Sequence, residues 1–493
     1  MDFLFELNLP TAPEGSRDVS GTLYRELKAA IINGRLVPGI RLPSTRKAPA
    51  ILHVSRNTAQ DVYERLAHDG LVSARRGSGT YVASPDYPVR PSGKAAQNNE
   101  RDHRLRDFWL RNDVASALGF WHEISEPSLP SRIDLRPALI DPKLFPFAIF
   151  RQGMAKQLRL LETRPSSFKS PQGNQGSFQL RHCIAEHIAL TRAVACHHDD
   201  VLVTSGAQQA FDLIARTLVE PGKTIVAVED PGYPPMRVAF MAAGAELVPV
   251  PVDEEGIIVD AIPPGAGIIC VCPSHQFPLG MSTSPARRRA LIELARSRGA
   301  VIVEDDYDGE FRYDGSPIQA LRTEASNDVI FYVGTFSKCM LPSLRLGFIV
   351  PPPWALRSLI AAKNCIDWHC PVPIQMSVAA FIRDGHLARH VRRMRRIYRG
   401  RRDLLLRLMG GNLAQWFRPI PSYYGMHVTA LAEDIDCEAI SAQLAGRGVQ
   451  LHSLHRYHLG TERRNGLVFG YGTANEEHLR QVLHDLRELA GRF

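Results

Sequence analysis

Apolar positions recur with a helical period at the start of the chain. One such face ends before Asn33-Gly34, a pair typical of helix C-termini, and consists of Leu23, Leu27, Ala30 and Ile31. A short helix is predicted over 45–52, and a longer one follows Ser55, which suits the N-cap position. Two strands, 71–75 and 80–83, complete a module of three helices and a β-hairpin.

Beyond residue 133 the pattern changes to short apolar runs that alternate with helical stretches. The runs predicted as strands are 200–204, 224–228, 268–272, 300–303 and 329–333, each followed by a loop or helix. This alternation predicts an α/β domain with a mostly parallel sheet.

A segment rich in proline and polar residues separates the two regions. It contains Pro85, Pro88 and Pro91 and the run 97–100, which is the composition of a linker. The predicted organisation is therefore a small domain over 1–84, a linker over 85–132 whose aromatic residues could dock on a surface, and a large domain over 133–493.

Composition narrows the function classes. The N-terminus lacks the basic start and apolar core of a signal peptide, no apolar run reaches membrane-spanning length, and the eight cysteines show no zinc or redox spacing. These features predict a cytoplasmic protein without a metal site. The net charge of +8 permits nucleic-acid binding without demonstrating it.

The order of elements in the small domain is that of a winged helix-turn-helix, whose second motif helix can enter the DNA major groove. Side chains on the first turn of that helix, Arg56, Asn57, Thr58 and Gln60, could reach base edges. Arg46, Arg75 and Arg76 could meet phosphates or the minor groove. With the cap Ser55 and the hairpin-tip Gly77, these are the predicted DNA-binding residues. The alternative is a protein-interaction domain with solvated arginines.

The small domain also resembles the GntR family, over LVPGIRLPSTRKAPAILHVSRNTAQDVYERLAHDGLVSARRGSGTYV. The resemblance implies a double-stranded DNA partner. One departure is Pro49, which would kink the first motif helix unless it lies in the first turn.

Four motifs in the large domain suit one cofactor, although each alone is a weak signal. Lys338 follows a strand end, as a lysine that forms a Schiff base with an aldehyde would. Asp305 and Tyr307 follow another strand, where an Asp can pair with a pyridine nitrogen and a Tyr can bond the ring hydroxyl. Ala207 and Gln208 open a helix that could bind phosphate, and Tyr233 could stack on a ring.

The order of these motifs resembles the pyridoxal 5'-phosphate (PLP) enzymes of the aspartate aminotransferase fold, fold type I. This resemblance implies a smaller C-terminal α/β subdomain, an internal Schiff base at Lys338 and a cofactor held by Asp305, Tyr307 and Tyr233. It also implies that Ala207, Gln208, Thr335, Ser337 and Arg345 surround the phosphate.

Both halves together resemble the MocR/GabR subfamily of GntR regulators, over EDPGYPPMR, CPSHQFPLG, EDDYDGEFRY and GTFSKCMLPSLRLG. The resemblance implies a homodimeric transcription regulator that responds to PLP itself or to a PLP adduct with a small amine or amino acid. An active aminotransferase that carries a DNA-binding domain is the alternative. The sequence departs from aminotransferases at two positions. Phe277 stands in place of an Asn that bonds the ring hydroxyl, and His275 or Gln276 could supply that bond instead. Asn465 stands in place of the Arg that binds substrate carboxylate.

Overall fold

A computed structural model gives the structure of the protein. It describes residues 19–32, 34–52, 54–75, 78–83, 106–121, 133–163, 173–314, 318–324, 328–421 and 423–491. The chain divides into two compact units, Met1–Arg106 and Asp107–Phe493. Among the described residues, no helix is both long enough and apolar enough to span a bilayer.

The first unit contains three helices and one antiparallel hairpin: α1 (Val19–Ile32), α2 (Ala48–Leu52), α3 (Arg56–His68), β1 (Val72–Arg75) and β2 (Gly79–Val82). Pro49 lies in the first turn of α2, where its missing N–H interrupts no intrahelical bond. Ser55 caps α3 as predicted, because its Oγ accepts a hydrogen bond from Thr58 N at 3.0 Å. Buried side chains that include Leu27 and Leu66 join the helices into one core.

The second unit begins with short helical segments inside the predicted linker: the 3-10 turn Asp107–Leu110, helix α4 (Asn112–Leu118) and the 3-10 turn Gly119–Trp121. Helix α4 packs against helix α8 (defined below). The ring of Phe120 is buried, with edge-to-face contacts to Tyr233 and Tyr457. The parts of the predicted linker over 85–105 and 122–132 lie outside the described residues.

The remaining elements alternate as expected for an α/β domain. In chain order they are β3 (Ile133–Asp134), α5 (Phe147–Thr163), α6 (Phe178–Arg192), β4 (Leu202–Thr204), α7 (Ala207–Leu218), β5 (Ile225–Asp230), α8 (Pro234–Ala242), β6 (Glu246–Asp253), β7 (Gly256–Ile257), β8 (Ala266–Val271), α9 (Pro285–Arg298), β9 (Val301–Asp306), β10 (Ile330–Thr335), β11 (Gly347–Val350), α10 (Pro353–Ile366), α11 (Val372–Arg383), α12 (His386–Asn412), β12 (Arg418–Pro419), β13 (His427–Leu431), α13 (Cys437–Gly446), β14 (Val449–Gln450), β15 (His452–Ser453), β16 (Gly466–Gly470) and α14 (Glu476–Ala490).

Further 3-10 turns of this unit are Pro142–Leu144, His198–Asp200, Val259–Ala261, Leu321–Thr323, Pro342–Leu344 and Leu454–Tyr457.

An eight-stranded, mostly parallel sheet forms the centre of the second unit, in the order β4-β11-β10-β9-β8-β5-β6-β7. Strands β6, β5, β8, β9 and β10 run parallel, and β11 is antiparallel to both of its neighbours. Strand β4 therefore points the same way as β10. The predicted strands are all present, and their carboxyl ends meet at one edge of the sheet, which is where open α/β sheets bind ligands.

A smaller C-terminal subdomain contains the antiparallel sheet β12-β13-β16-β15 and helices α13 and α14. The apolar face of α14, with Leu479, Val482 and Leu486, is buried in a cluster that also includes Leu467 and Phe469 of β16. The predicted α/β subdomain is therefore present.

Candidate functional site

One cavity of about 240 Å³ lies at the carboxyl edge of the central sheet. It brings together all nine residues that the sequence predicts around a cofactor, which are Ala207, Gln208, Tyr233, Asp305, Tyr307, Thr335, Ser337, Lys338 and Arg345. They lie at the ends of β9 and β10, on the loops and helix starts after β4, β5, β9 and β10, and in the turn before β11. Residues more than a hundred positions apart meet here because parallel strands end at the same edge.

Lys338 follows the end of β10 by three residues. Its Nζ donates a hydrogen bond to the Ala138 carbonyl at 2.8 Å. Burial lowers the pKa of Lys338 to about 8, although Asp308 and Asp305 oppose the shift. At pH 7 about a tenth of this amine is therefore neutral, far more than for an ordinary lysine, and the neutral amine is the form that attacks a carbonyl.

Asp305 is a buried carboxylate with unused hydrogen-bonding capacity. It lies on β9, opposite Val333 of β10. Its Oδ1 has no hydrogen-bond partner among the described residues, and only the Cys272 thiol, at 3.9 Å, approaches Oδ2. Burial raises the pKa of Asp305 to about 8, and the charges of Asp306 and Asp308 act in the same direction. A cationic partner placed at Oδ1 would relieve this desolvation.

Tyr307 and His275 form a hydrogen-bonded pair next to the cavity. The Tyr307 hydroxyl lies 2.7 Å from His275 Nδ1, which is also 2.9 Å from Asp308 Oδ2. Burial raises the pKa of Tyr307, so the phenol remains protonated and can donate. His275 thus acts on the cavity through Tyr307.

Gln276, the other suggested replacement, holds the loop together. Its Nε2 donates to the Pro231 carbonyl at 2.8 Å and its Oε1 accepts from Leu279 N at 3.0 Å.

Aromatic rings form one side of the cavity. Tyr233 contacts Phe277 edge to face at 5.7 Å between ring centroids, and Phe277 contacts Tyr307 in the same way at 5.5 Å. The resemblance to aminotransferases predicts Asn at the position of Phe277. The wall of the cavity at this position is therefore apolar instead of polar. A flat aromatic ligand suits this side.

The opposite end of the cavity is rich in hydrogen-bond donors. Gly206 has a φ of 81° and precedes α7, whose first amides are free of intrahelical partners. A Cβ at Gly206 would lie 3.0 Å from the Arg345 guanidinium, which would have to shift by a few tenths of an ångström, so the φ of 81° is the stronger reason for glycine. The Arg345 Nη2 donates to the Ser205 carbonyl at 2.9 Å, and the Thr335 and Ser337 hydroxyls lie 3.1 Å apart. A helix N-terminus, hydroxyls and an arginine suit a phosphate group.

Sequence reasoning missed four lining residues, namely Ala138, Leu139, Phe277 as a wall, and Pro342. Ala138 has a φ of 58°, a left-handed conformation that alanine rarely adopts, and its carbonyl accepts the Lys338 hydrogen bond. No pattern in the sequence marks this residue, because its role comes from backbone conformation and a contact 200 positions away.

Asn465 lies outside this cavity. Its Nδ2 donates to the Ile435 carbonyl at 2.6 Å, within the C-terminal subdomain. The residue of β16 that packs with Phe277 and Tyr307 is Val468, which is apolar. Among the described residues that line the cavity, Arg345 is the one arginine, and it lies at the donor-rich end.

The predicted DNA-binding residues of the first unit lie mostly on its surface. Ser55, Arg56, Asn57 and Gln60 are exposed at the start of α3, Thr58 is half-buried, and Arg46 is exposed before α2. The hydroxyls of Ser55 and Thr58 lie 2.8 Å apart and serve the cap. The side chain of Arg75 and the residues Arg76 and Gly77 lie outside the described part of the chain.

Family comparisons cover both units. Residues 150–464 match the family "Aminotransferase class I and II", and residues 20–82 match "Bacterial regulatory proteins, gntR family". The chain is 32% identical over 467 residues, 94% of its length and 92% of the relative's, to the probable rhizopine catabolism regulatory protein MocR of Rhizobium meliloti. It is 30% identical, over 98% of its length and 99% of the relative's, to the pyridoxine biosynthesis transcriptional regulator PdxR of Corynebacterium glutamicum.

A solved structure is similar to the second unit. The α-aminoadipate aminotransferase LysN of Thermus thermophilus, complexed with N-(5'-phosphopyridoxyl)-L-leucine, superimposes with a TM-score of 0.66 at 28% identity. The match covers 73% of this chain and 92% of that one.

Proposed function

The chain belongs to the class I and II aminotransferase family and joins that domain to a GntR-type DNA-binding domain, as MocR and PdxR do; from this premise, we propose that it is a PLP-dependent transcription regulator. The observation that carries the proposal is the cavity, which combines a lysine of lowered pKa, an unpartnered buried carboxylate and a phosphate-type donor set in one chain with a helix-turn-helix unit.

The residues present fit PLP. The unpartnered Asp305 Oδ1 suits the protonated pyridine nitrogen, which would remove the desolvation of that carboxylate. Lys338 would hold the cofactor covalently, Tyr307 would donate to its phenolic oxygen, and Tyr233 would lie against its ring. Ala207 and Gln208 at the start of α7, with Thr335, Ser337 and Arg345, would hold the phosphate. When bound, PLP supplies an aldehyde that condenses with amines and a ring that stabilises negative charge on the adjacent carbon.

The residues of this chain control protons around that chemistry. Asp305 would keep a proton on the ring nitrogen, because a cation at Oδ1 would favour the charged form of the carboxyl. Tyr307 keeps its own proton at the hydroxyl, where His275 and Asp308 orient it. The neutral amine of Lys338 can accept a proton once it is released, so the apparatus for a proton shift is present.

Regulation is favoured over turnover by the lining of the cavity. A transaminase cycle needs the substrate carboxylate held in one orientation, and a misplacement of about 1 Å can cost about 100-fold in rate. Among the described residues that line this cavity, Arg345 is the one arginine, and we assign it to the phosphate, so no lining arginine is left for that purpose. We therefore propose that the signal is PLP itself or its adduct with a small amine or amino acid, and that transamination is weak.

The ligand would act through a homodimer whose two DNA-binding units contact paired or repeated half-sites. A ligand can shift such a dimer between two states only by binding them with different affinities. We propose that the two states differ in how they position the DNA-binding units. We also propose that the protein acts in the cytoplasm.

The test measures DNA binding and turnover with the same holoprotein. Binding to a DNA fragment from upstream of its own coding region is followed with and without PLP, and then with a panel of amino acids. We expect the DNA affinity to change with PLP or with at least one amino acid, while keto-acid formation stays far below about 1 s⁻¹, the low end of typical enzymes. Sustained turnover at that rate, with DNA affinity indifferent to every ligand, would establish the aminotransferase alternative instead.

A further inference from the structure

A second cavity lies beside the cofactor cavity. Its volume is about 330 Å³, and it lies between helix α4, helix α8 and the C-terminal subdomain. Tyr233 lines the cofactor cavity, whereas the next residue, Pro234, lines this one, together with Phe120. The two cavities therefore share a wall but have separate linings.

Arg237 is the central charged residue of this second cavity. It is 3% exposed, and its Nε has no hydrogen-bond partner among the described residues. Its Nη2 donates to the Glu229 carbonyl at 2.8 Å and approaches Asp230 Oδ1 only at 3.4 Å. Asp230 is shared, because its oxygens also accept hydrogen bonds from Leu459 N at 2.7 Å and Gly460 N at 3.0 Å. The guanidinium is thus buried and under-compensated, which is costly unless another anion pairs with it.

His458 adds a second buried donor to the lining. Its Nε2 accepts from Arg464 N at 3.1 Å, so the proton of the neutral ring lies on Nδ1. That Nδ1 is 3.5 Å from Asp230 Oδ2, so Asp230 is only a long and weak partner for it. The His458 side chain is 2% exposed.

Two further arginines and two carboxylates line the cavity. Arg456 and Arg463 line it on the subdomain side. The two acidic liners already have partners: Asp113 accepts from Arg111 at 3.0 Å, and Glu438 pairs with His455 at 3.2 Å. Three arginines and two carboxylates thus line the cavity, and the Asp230 carboxylate beside Arg237 offsets part of the positive charge.

We propose that this cavity is a second ligand site, which binds a small molecule through its carboxylate or phosphate group, with Arg237 and Arg463 as the cationic contacts and His458 as a further donor. The site is distinct from the PLP cavity and does not depend on the proposed regulatory function. Two oxygens of a carboxylate or of a phosphate match the fork of a guanidinium, and a cavity of this size accommodates a metabolite rather than a macromolecular segment.

The test is calorimetric titration of the full-length holoprotein with succinate and, separately, with inorganic phosphate. The visible absorbance of the cofactor is recorded first, so that a preparation lacking PLP is recognised and its failure is kept apart from failure at this site. Arg463→Gln removes an exposed cation, and Ser116→Trp fills the cavity from helix α4. Arg480→Gln, on the exposed face of α14, is the matched control.

We expect wild type and Arg480→Gln to bind at least one probe saturably at one site per chain. Arg463→Gln should bind that probe about tenfold more weakly, since hydrogen bonds to charged groups contribute strongly, and Ser116→Trp should lose binding. The proposal is overturned if neither probe binds wild type saturably up to millimolar concentrations, or if both variants bind as wild type does.

Discussion

The two units of this protein use charged residues in opposite ways. At the cofactor cavity, Lys338 and Asp305 are enclosed by the sheet edge, and burial displaces the pKa of each to about 8. At the start of α3, Arg56 and Asn57 are exposed to solvent. A buried charge is costly until a specific ligand pairs with it, whereas an exposed arginine can meet any phosphate that approaches.

Because of this difference, we expect mutations at the two sites to have different effects. In the cavity, each group has one task, and its loss cannot be compensated by solvent or by a neighbour. On the helix surface, binding is the sum of several modest contacts, so single changes should weaken it in part.

Replacing Lys338 with Ala should abolish covalent attachment of PLP, because no other amine lines the cavity in the described part of the chain. The purified wild type should absorb in the visible range, and borohydride treatment should fix the cofactor to the chain. Lys156→Ala, which removes an exposed lysine on α5, should behave like wild type. Borohydride fixation of PLP to Lys338→Ala would show that the assignment is wrong.

The rate at which cofactor-free protein takes up PLP should rise with pH, with a midpoint near the Lys338 pKa of about 8. The neutral amine is the reactive form, and the fraction that is neutral increases as pH rises through the pKa. The same shift predicts that the cofactor-free protein gains stability between about pH 8 and the ordinary lysine pKa of about 10.4, because the unfolded state then binds more protons. Stopped-flow absorbance measures the uptake. A rate that is constant or that falls over this range would contradict the lowered pKa.

Arg56→Ala should weaken specific DNA binding by about 1–3 kcal/mol and relax the preference at one base pair, if the side chain contacts a base edge. Arg46→Ala, the matched comparison, should weaken specific and random DNA alike and reduce the salt slope by about one charge. Fluorescence anisotropy with both DNAs at several salt concentrations separates the two behaviours. Equal losses on both DNAs for Arg56→Ala would remove it from base recognition. Arg76→Ala should act as Arg46→Ala does.

Ser55→Ala should destabilise α3 by about 1 kcal/mol, because the cap to Thr58 N is lost. Hydrogen exchange of the α3 amides in the full-length protein should accelerate by about fivefold. Ser55→Asn, which retains a capping oxygen, should restore protection, and Ser73→Ala on the exposed face of β1 should have no effect. Unchanged exchange in Ser55→Ala would mean that the cap contributes nothing to the stability of the helix.

Residues such as Lys338 and Asp305 could be predicted to lie at the cavity because each belongs to a short motif that can be recognised from its neighbours in the sequence. A lysine three residues beyond a strand, or an Asp at the end of an apolar strand, is expected at the carboxyl edge of a parallel sheet. The cap Ser55 was equally local, since it acts on an amide three residues away.

Other features depended on contacts that no local pattern records. The left-handed Ala138, whose carbonyl holds Lys338, and the position of Asn465 outside the cavity emerged only from packing between distant segments. The second cavity likewise joins α4, α8 and the C-terminal subdomain, which are far apart along the chain.

The sequence predicted the strands of the sheet and the Ser55 cap, because periodicity and caps act over a few residues. Together with the resemblance to aminotransferases, it also predicted nine of the thirteen residues that line the cofactor cavity. Which buried polar atoms have hydrogen-bond partners became clear only from the tertiary structure. It left Asp305 Oδ1 and Arg237 Nε without partners among the described residues and placed Val468, not Asn465, with the cavity rings. Whether a buried polar atom has a partner depends on every segment that folds against it, and that is a property of three-dimensional packing.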